Sequence, residues 1–373
     1  MAPNESKRRN FSKGSRQRSV LGSGKKREAS YAGRRIRQRD RYVLADQETY
    51  TLEKLHLVLL REKQQKDRKL SLDEFNQLRS LVYKISWVAK ESRPEASGSA
   101  SILAQHLKAP TVSDVLIANR VVKFLRSSAS QCLTIWRHDP RNLRVISVSD
   151  AGGIGGPPTE NGENVQNAHL IMVADDGIRQ GIHSKASTLM WRSARCKRAV
   201  NSTLAGETIA MSAALADAEW AQIMIQDVLN QTVIVRDTTG GTLPFQVVLR
   251  SNCTLSKRLP HEHSIDAKSV FDALIKECAG NRQDRRTAVD LAIVRETLKA
   301  QGSHIRWIPH PLMLADSMTK ADPSAGNDAL RHLLRTGKLV WDEETIRRSA
   351  RLGRTKAVSR RQLETNDETL HGT

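Results

Sequence analysis

Apolar residues between positions 71 and 94 recur at three- and four-residue steps, which is the spacing of one buried face of an α-helix. Ser71 and Glu74 stand before this run with the spacing of a capping box, and Pro94 lies where the pattern stops. We therefore predict a helix here, within a mainly helical segment over residues 43–126. Its apolar face consists of Phe75, Leu78, Leu81, Val82, Ile85 and Val88.

From residue 132 onward the pattern is mixed, with strands grouped first and helices interleaved later. This order predicts a mixed sheet flanked by helices. Residues 231–262 exceed what such a fold needs, and we predict only a strand pair there, around TVIVRDTT and PFQVVLRS. The predicted strands are 132–137, 142–149, 168–174, 187–192, a strand before Asp266 and 304–308, and the predicted helices are 204–230, one after Asp266, 284–300 and a short one at Asp316.

Four acidic residues stand at the ends of predicted strands or near the starts of predicted helices. The first follows the apolar run LRVISVS, in which Ile146 and Val148 alternate onto the same face as the acid. The second shares the apolar stripe of the long helix with Met211 and Leu215. Carboxylates at core-facing positions are costly unless a cation or another partner compensates their charge. In chain order the series is Asp150, Glu207, Asp266 and Asp316.

The amino-acid sequence around these acids resembles the RNase H domain at the end of copia-type retrotransposon polyproteins. Three blocks carry the resemblance: WRSARCKRAVNSTLAGET, DRRTAVDLAIVRETL and IRWIPHPLMLADSMTK. It covers roughly residues 72–339. It implies an α/β fold with an RNase H-like mixed five-stranded sheet flanked by helices, preceded by a helical connection segment and a disordered basic N-terminal tail.

The helical segment also resembles a part of that family, the pair of helices that links the polymerase to RNase H. The matching stretches are FNQLRSLVYKISWVAKESRPEASGSASILAQHL and TVSDVLIANRVVKFLR. The polymerase palm with its Tyr-x-Asp-Asp turn appears nowhere in the chain. We therefore expect no template-directed synthesis, and a polymerase would be a separate partner subunit.

The resemblance implies a two-metal site. Asp150, Glu207 and Asp266 would share two Mg²⁺ ions, with Mn²⁺ as a substitute, and Asp316 would hold the ion next to the attacking water. Hard cations prefer oxygen ligands, and two of them about 3.5 to 4 Å apart activate a water and neutralise the leaving oxygen of a phosphodiester. Taken alone, Asp266 also fits a helix N-cap, and Glu207 also fits a first-turn acid favoured by the helix dipole.

Basic and polar residues immediately before the Glu207 helix are interpreted as a nucleic-acid interface. Their cations would lie beside the acids, where a phosphate backbone must pass, and the polar residues would contact sugar hydroxyls, which distinguish RNA from DNA. The alternatives are a charged hairpin turn and helix capping by Ser202 or Thr203. The predicted interface consists of Arg192, Arg195, Lys197, Arg198, Asn201, Ser202 and Thr203.

Histidines and glycines near the acids allow other interpretations. His310 lies six residues before Asp316, where many RNases H carry a histidine that assists product release, although the spacing is shorter than usual. His261 and His263 resemble half of a zinc site but lack suitably spaced partners, so a loop is predicted there. The glycines of residues 152–156 are followed by two prolines and not by a helix, which predicts a hairpin turn.

The net charge of the chain indicates the class of its binding partner. The chain holds 60 Lys and Arg against 40 Asp and Glu, and its net charge of +20 with a pI near 10.2 indicates a polyanionic partner. Residues 1–41 carry 14 of these cations against three acids and lack apolar periodicity. We predict a disordered tail there. It is either an arm that binds nucleic acid or directs nuclear import, or a solvated tail without such a role.

Cysteines and apolar runs indicate the compartment. The four cysteines are too widely spaced for a zinc site or a disulfide framework, which favours a reducing environment. No apolar run approaches the roughly 18 residues that a membrane span requires. We expect a protein that is not secreted, acts in the nucleus or cytoplasm and has no membrane partner.

Together these observations predict four regions: a tail over 1–41, a helical segment over 42–130, an RNase H-like domain over 131–339 with an insertion at about 231–262, and a charged tail over 340–373. The predicted function is an RNase H-type endonuclease that hydrolyses the RNA strand of RNA/DNA hybrids. The alternative is a non-catalytic nucleic-acid-binding remnant or domesticated fragment of a retroelement. A transposase or integrase is disfavoured, because the acid series of those enzymes ends in Glu on a late helix.

Overall fold

The computed structural model describes residues 27–153, 165–230, 259–276 and 284–351, except residues 62, 64, 182, 327 and 349. Within them the strands form two sheets. The smaller sheet is antiparallel and contains, in spatial order, β1 (Glu28–Tyr31), β2 (Arg34–Gln38), β3 (Tyr42–Asp46) and β4 (Leu133–Trp136). The larger sheet contains β5 (Leu143–Gly152), β6 (Gln166–Asp175), β7 (Ser184–Arg195), β8 (His261–Ile265), β9 (His304–Trp307) and β10 (Lys338–Leu339).

Helices lie before and between these strands. Short 3-10 turns supplement them, including Asp316–Thr319. No helix of the described residues combines the length and the apolar character that crossing a membrane requires. The α-helices are α1 (Glu48–Lys54), α2 (Leu72–Glu91), α3 (Ser97–His106), α4 (Val112–Ser127), α5 (Thr203–Asn230), α6 (Lys268–Ile275), α7 (Arg285–Gln301) and α8 (Asp328–Thr336).

The larger sheet is mixed, as predicted. Its strand order is β10-β7-β6-β5-β8-β9, in which β5, β6 and β7 run antiparallel while β8 and β9 run parallel to β5. The RNase H-like mixed sheet flanked by helices expected from the sequence is confirmed, and the two-residue strand β10 is added at its edge. A strand pair is predicted within residues 231–262. Residues 231–258 lie outside the described residues, and β8 begins at His261.

β5 is buried on both of its faces, which explains its continuous apolar sequence. Ile146 and Val148 pack into a core that includes residues of β6 and α8. Val145 points to the other face, where it packs with Ala218 and other residues of α5. β5 therefore contributes side chains to two hydrophobic cores, one on each face, and the end of the strand lies between these cores.

The helical segment packs directly against the larger sheet. The predicted capping box of Ser71 and Glu74 is confirmed at the start of α2. At its other end the Trp191 indole of β7 donates a hydrogen bond to the Ala89 carbonyl oxygen over 2.8 Å. Gly98 of α3 approaches the Asp316–Thr319 turn so closely that a Cβ atom there would lie 2.5 Å from the carbonyl oxygen of a turn residue. Only glycine permits this contact between the helical segment and the turn.

The last part of the predicted N-terminal tail is folded, contrary to the prediction. Residues 28–31 and 34–38 form the antiparallel pair β1 and β2, while residues 1–26 lie outside the described residues. Arg35 and Arg37 of β2 both contact the buried carboxylate of Asp46 on β3, at 3.2 and 2.7 Å. Composition alone predicts a solvated tail for this basic run. In the structure, however, Arg35 and Arg37 have an acidic partner in the next strand.

Two predicted boundaries of the RNase H-like domain also differ from the structure. β4 pairs with β3 in the smaller sheet and not with the larger one. It contacts the larger sheet through a side chain of β7, since the Trp136 backbone N–H donates to the Ser187 hydroxyl over 2.8 Å. At the other end, Val340 and Ile346 belong to the same core as Ile146, so the core extends past residue 339. Strand pairing and core membership depend on long-range partners that periodicity does not identify.

Candidate metal centre

Asp150 lies near the end of β5, on the face that carries Ile146 and Val148, and is 7% exposed. The Thr319 hydroxyl donates a hydrogen bond to Asp150 Oδ2 over 2.8 Å. The same hydroxyl lies 2.9 Å from the carbonyl oxygen of Asp316. Thr319 therefore links the first acid of the series to the turn that carries the last.

Glu207 lies in the second turn of α5, on the buried stripe that continues through Met211 and Leu215. It is 5% exposed, and the Ala151 N–H donates a hydrogen bond to its carboxylate. Its second oxygen, Oε2, has no hydrogen-bond partner among the described residues. A buried carboxylate oxygen without a partner has lost its hydration without compensation, which is costly.

Asp266 directly follows β8, which runs parallel to β5. Val148 pairs with Ser264 in this ladder, and Asp150 and Asp266 each lie two residues farther along their strands. The parallel register thus brings the two acids to the same end of the sheet. The N-cap of α6 is Ala267, without a side-chain cap, so the capping alternative for Asp266 is not what the structure shows.

The structure brings Asp150, Glu207 and Asp266 together. Each offers a carboxylate oxygen, and these oxygens lie within 4.8 Å of one another. Among the described residues no second group of His, Cys, Asp or Glu side chains has this geometry. We refer to these three residues as the carboxylate cluster.

Asp316 lies beside the carboxylate cluster but is not part of the 4.8 Å group. It begins the 3-10 turn and is 3% exposed. Two cationic side chains face it: Lys320 Nζ lies 3.3 Å and His310 Nε2 lies 3.9 Å from Asp316 Oδ1. The other ring nitrogen of His310 lies 2.8 Å from Asp266 Oδ2. The histidine therefore stands between the third and the fourth acid.

Burial and mutual repulsion disfavour the charged forms of two acids. Burial, followed by the charges of Asp150 and Asp266, raises the pKa of Glu207 to about 9. Burial also raises the pKa of Asp150 to about 6, against the hydrogen bond from Thr319 and with the charges of Asp266 and Asp316 adding to it. Like charges close together in a low-dielectric site cannot all be ionised unless a cation is present.

The donor set suits hard divalent cations. Carboxylate oxygens are the ligands that Mg²⁺ and Mn²⁺ prefer, and no thiol or imidazole belongs to the cluster. The unpartnered Glu207 Oε2 gives a second reason, because a bound cation would satisfy it. The residues present therefore fit a divalent metal site.

The predicted nucleic-acid interface is divided by the structure. Arg192 and Arg195 are exposed on β7, and Lys197 is exposed just after it. Arg198 instead forms a bidentate ion pair with Asp290 of α7, at 3.1 and 2.8 Å. The Ser202 hydroxyl accepts a hydrogen bond from the Ala205 N–H and so caps α5, as in the alternative interpretation, while Asn201 and Thr203 are exposed.

Sequence reasoning missed several groups that surround the cluster. Thr319 and Lys320 carried no signal beyond belonging to the last matching block. The prediction of a loop at His261 and His263 is wrong, because both are buried in β8 and hydrogen-bond to the Ser147 hydroxyl at 2.7 Å each. Histidine at alternate positions of a short strand, 261 and 263, is a signal that could have placed them, since serine at alternate positions of β5, 147 and 149, matches it.

Comparisons with known proteins give only distant similarities. No protein-family model matches the sequence, and no curated protein is significantly similar to it. RNase H1 from the halophilic archaeon Halobacterium salinarum is 15% identical, over 51% of this chain and 98% of that one, with a TM-score of 0.27. The N-terminal RNase H domain of a Mycobacterium tuberculosis protein, solved as a fusion with maltose binding protein, is 14% identical over 52% and 98%, with a TM-score of 0.28. LC11-RNase H1, solved with an RNA/DNA hybrid, is 14% identical over 44% and 85%, with a TM-score of 0.26. Because these values transfer no activity or residue role, we infer function from the carboxylates themselves.

Proposed function

We propose that the chain is an RNase H-type endonuclease that hydrolyses the RNA strand of RNA/DNA hybrids. The observation that supports this most strongly is the carboxylate cluster, in which oxygens from three buried or half-buried acids converge within 4.8 Å at the end of two parallel strands. Three carboxylates this close together, two of them buried, make a costly arrangement for a purely structural site.

Asp150, Glu207 and Asp266 would hold two Mg²⁺ ions, or Mn²⁺ in their place, and Asp316 would lie on the side of the attacking water. Ions bound there would supply an activated water and charge compensation for the scissile phosphate. The chain itself orients the ligands: the Thr319 hydroxyl fixes Asp150, and the Ala151 N–H fixes Glu207.

His310 and Lys320 are the chain's own cations at this place. A hydrogen bond to Asp266 raises the pKa of His310, which favours its protonated form. Together with Lys320 it neutralises part of the acidic charge when no other cation is bound. His310 is 64% exposed on its side chain, so it can leave the site when substrate and ions enter.

Strand selection would depend on the residues before Glu207. Exposed Asn201 and Thr203 would meet 2′-hydroxyls of one strand while Arg192 and Arg195 contact phosphates. Neither pure duplex offers the combination of one RNA strand and one DNA strand. Attack by water in line with the leaving 3′ oxygen would yield a 3′-hydroxyl and a 5′-phosphate.

The origin and setting are part of the proposal. The three matching sequence blocks support a copia-type retroelement source, with a polymerase subunit as a partner and a nuclear or cytoplasmic place of action. The high net charge supports a nucleic-acid partner more generally.

A second candidate function is nucleic-acid binding without turnover. The ion pairs of His310 with Asp266 and of Lys320 with Asp316 favour it, because they compensate two acids without any metal. Metal binding separates the two candidates.

The deciding experiment incubates three end-labelled duplexes of one sequence, RNA/DNA, DNA/DNA and RNA/RNA, with the protein and Mg²⁺. Cleavage of only the RNA strand of the hybrid is expected, with loss of cleavage in Asp150→Asn and normal cleavage in the control Asp272→Asn, at a half-buried position of α6 outside the carboxylate cluster. Equal cutting of all three duplexes would indicate a general nuclease. Hybrid binding without cleavage at any Mg²⁺ or Mn²⁺ concentration would establish the second candidate.

A further inference from the structure

A groove runs along β7, between α2 and α3 on one side and α5 on the other. One part, with a volume of about 430 Å³, is lined by Lys90, Ser101, Arg192 and Asp217, among others. A second part of about 600 Å³ shares Ser101 with the first and continues it toward the start of α5. The two parts therefore adjoin along α3, between the helical segment and the sheet, and we refer to them together as the groove.

The helical wall of this groove is made of small side chains. Ser97, Ala100, Ser101 and Ala104 of α3 line it, and they leave room for a ligand to approach the helix backbone and β7. The Ser101 hydroxyl contacts the Gln166 amide at 2.9 Å, which fixes this wall to the sheet. The groove is thus built by two rigid elements and not by a loose surface.

Exposed cations line the groove along its whole length. Lys90 on α2, Arg192 and Arg195 on β7 and Lys197 after it all contribute, and none has a carboxylate within 4.0 Å among the described residues. This differs from Arg198, which is held by Asp290.

The groove contains little negative charge. Of the residues lining the groove only Asp217 is acidic, and it is paired with His169 at 2.7 Å. The groove therefore presents an excess of positive charge, with four cations against one acid, which fits a polyanion.

The edge of β7 away from β6 is only partly paired with another strand. β10 pairs with it only at Ser184 and Lys185, and among the described residues no strand covers the same edge farther along. Alternate N–H groups of an uncovered edge strand point outward. Backbone N–H groups and hydroxyls are common phosphate ligands, so the edge adds donors to the cations.

The groove lies next to the carboxylate cluster in the sheet. Ser193 of β7 pairs with Ala168 of β6, and Ala168 pairs with Asp150 of β5. Two interstrand spacings place Ser193 about 10 Å from Asp150. A nucleic acid with one phosphodiester at the cluster therefore has other phosphates within reach of the groove.

We propose that this groove holds a phosphate backbone of the bound nucleic acid, so that α2 and α3 form one wall of the substrate-binding surface. The inference deepens the proposed function and takes from it the nature of the substrate. The helical segment then does more than connect domains, since Lys90 and the small face of α3 contact substrate directly. An extended peptide added to the β7 edge would use the same N–H groups, but four unpaired cations favour phosphate over a neutral backbone.

The test measures equilibrium binding of a labelled RNA/DNA hybrid in EDTA, at several salt concentrations, so that neither metal nor turnover is needed. Ala104→Glu places a carboxylate in the groove at an exposed helical position and is expected to weaken binding about tenfold. Lys90→Ala is expected to lower the slope of log affinity against log salt by about 1, as for the loss of one phosphate contact.

The matched control is Ala292→Glu, the same change at an exposed position of α7, which packs with β8 and β9 on the other half of the sheet. It should bind like the wild type, and thermal melting should show all three variants folded. If Ala104→Glu and Lys90→Ala both bind with unchanged affinity and salt slope, the groove does not hold nucleic acid, and binding of an extended peptide becomes the interpretation to pursue. Because EDTA excludes cleavage, a groove effect in a protein that cuts nothing would overturn the proposed function alone, whereas normal cleavage with no groove effect would overturn only this inference.

Discussion

The two faces of β5 hold two buried polar groups that differ in how well they are satisfied. On one face Asp150 belongs to the carboxylate cluster, with repelling charges and the unpartnered Glu207 Oε2. On the opposite face Ser147 and Ser149 contact His261 and His263 of β8, and we call these four residues the serine–histidine network. Both groups join the same two strands.

The hydrogen bonds of the histidines in the network are satisfied, whereas the carboxylate cluster has an oxygen without a partner among the described residues. His261 and His263 each have hydrogen-bond partners at both ring nitrogens, His261 through Ser147 and Ser303 and His263 through Ser147 and Ser149. Buried polar groups that satisfy one another stabilise a single strand register. Buried groups that repel one another and lack partners need something from outside. The network therefore holds β8 against β5, and the cluster at the end of the same strand pair is where a cation would bind.

The strongest way to break this comparison is Asp150→Asn. We expect hybrid cleavage to fall at least about a thousandfold, equivalent to about 4 kcal/mol of transition-state stabilisation, because a ligand charge is lost. The metal-free protein should keep or gain stability, since repulsion with Asp266 and Glu207 decreases. Cleavage assays and thermal melting with and without Mg²⁺ measure both. A wild-type protein whose melting temperature ignores Mg²⁺ and Mn²⁺ would show that the cluster binds no metal.

The second change, His263→Leu, acts on the network and should show the reverse pattern. It removes the partner of the Ser149 hydroxyl and one partner of Ser147, so we expect a loss of about 2–3 kcal/mol in the free energy of unfolding. Urea denaturation measures this loss. The Mg²⁺-induced stabilisation of the fraction that stays folded should be retained. A variant with wild-type stability would show that the network does not hold the two strands together.

The two faces should also respond oppositely to pH. Glu207 and Asp150 have folded pKa values of about 9 and about 6, above their ordinary 4.5 and 3.8. The folded state then binds more protons than the unfolded state between these limits, so the cluster's contribution is lost as pH rises through them. The slope is at most about 1.4 kcal/mol per pH unit for each titrating group.

The network has the opposite sign. Burial lowers the pKa of His261 to about 4 and that of His263 well below its ordinary 6.5. Below pH 6.5 the unfolded state binds more protons, and stability is lost as pH falls. Urea unfolding between pH 4 and 9, about one unit per step, measures both arms. Above pH 6.5 the histidines no longer contribute, so Glu207→Gln should flatten the alkaline arm. An alkaline arm unchanged in this variant would contradict the assignment.

The smallest expected effect concerns Thr319, and it separates the hydrogen bond of its hydroxyl to Asp150 from the packing of its side chain. Thr319→Val removes the hydrogen bond to Asp150 without changing the shape of the side chain, and we expect metal affinity to fall by roughly a factor of five, about 1 kcal/mol. Thr319→Ser keeps the hydroxyl and should restore it. Calorimetric titration with Mn²⁺ compares the three proteins. Equal loss in both variants would mean that packing of the turn, and not the hydrogen bond, positions Asp150.

The sequence by itself determined the elements and the order of the acids. Periodicities of two and of three to four residues are local, so the helix after Ser71 and the strand that carries Asp150 could be predicted from neighbouring residues alone. The same holds for the core-facing positions of Asp150 and Glu207, because apolar residues on either side identify the buried face.

Tertiary structure decided which of these residues meet and which partners they have. The parallel register of β5 and β8 joins Asp150 to Asp266. Separately, β4 pairs with β3, and the Asp316 turn is held beside the cluster by the Thr319 hydroxyl, which donates to Asp150. Each of these contacts joins segments far apart in the chain, and the favourable term that selects them is burial against a specific partner surface. Local periodicity contains no information about that surface, so the acids could be named from the sequence, whereas their convergence depended on how the strands pair.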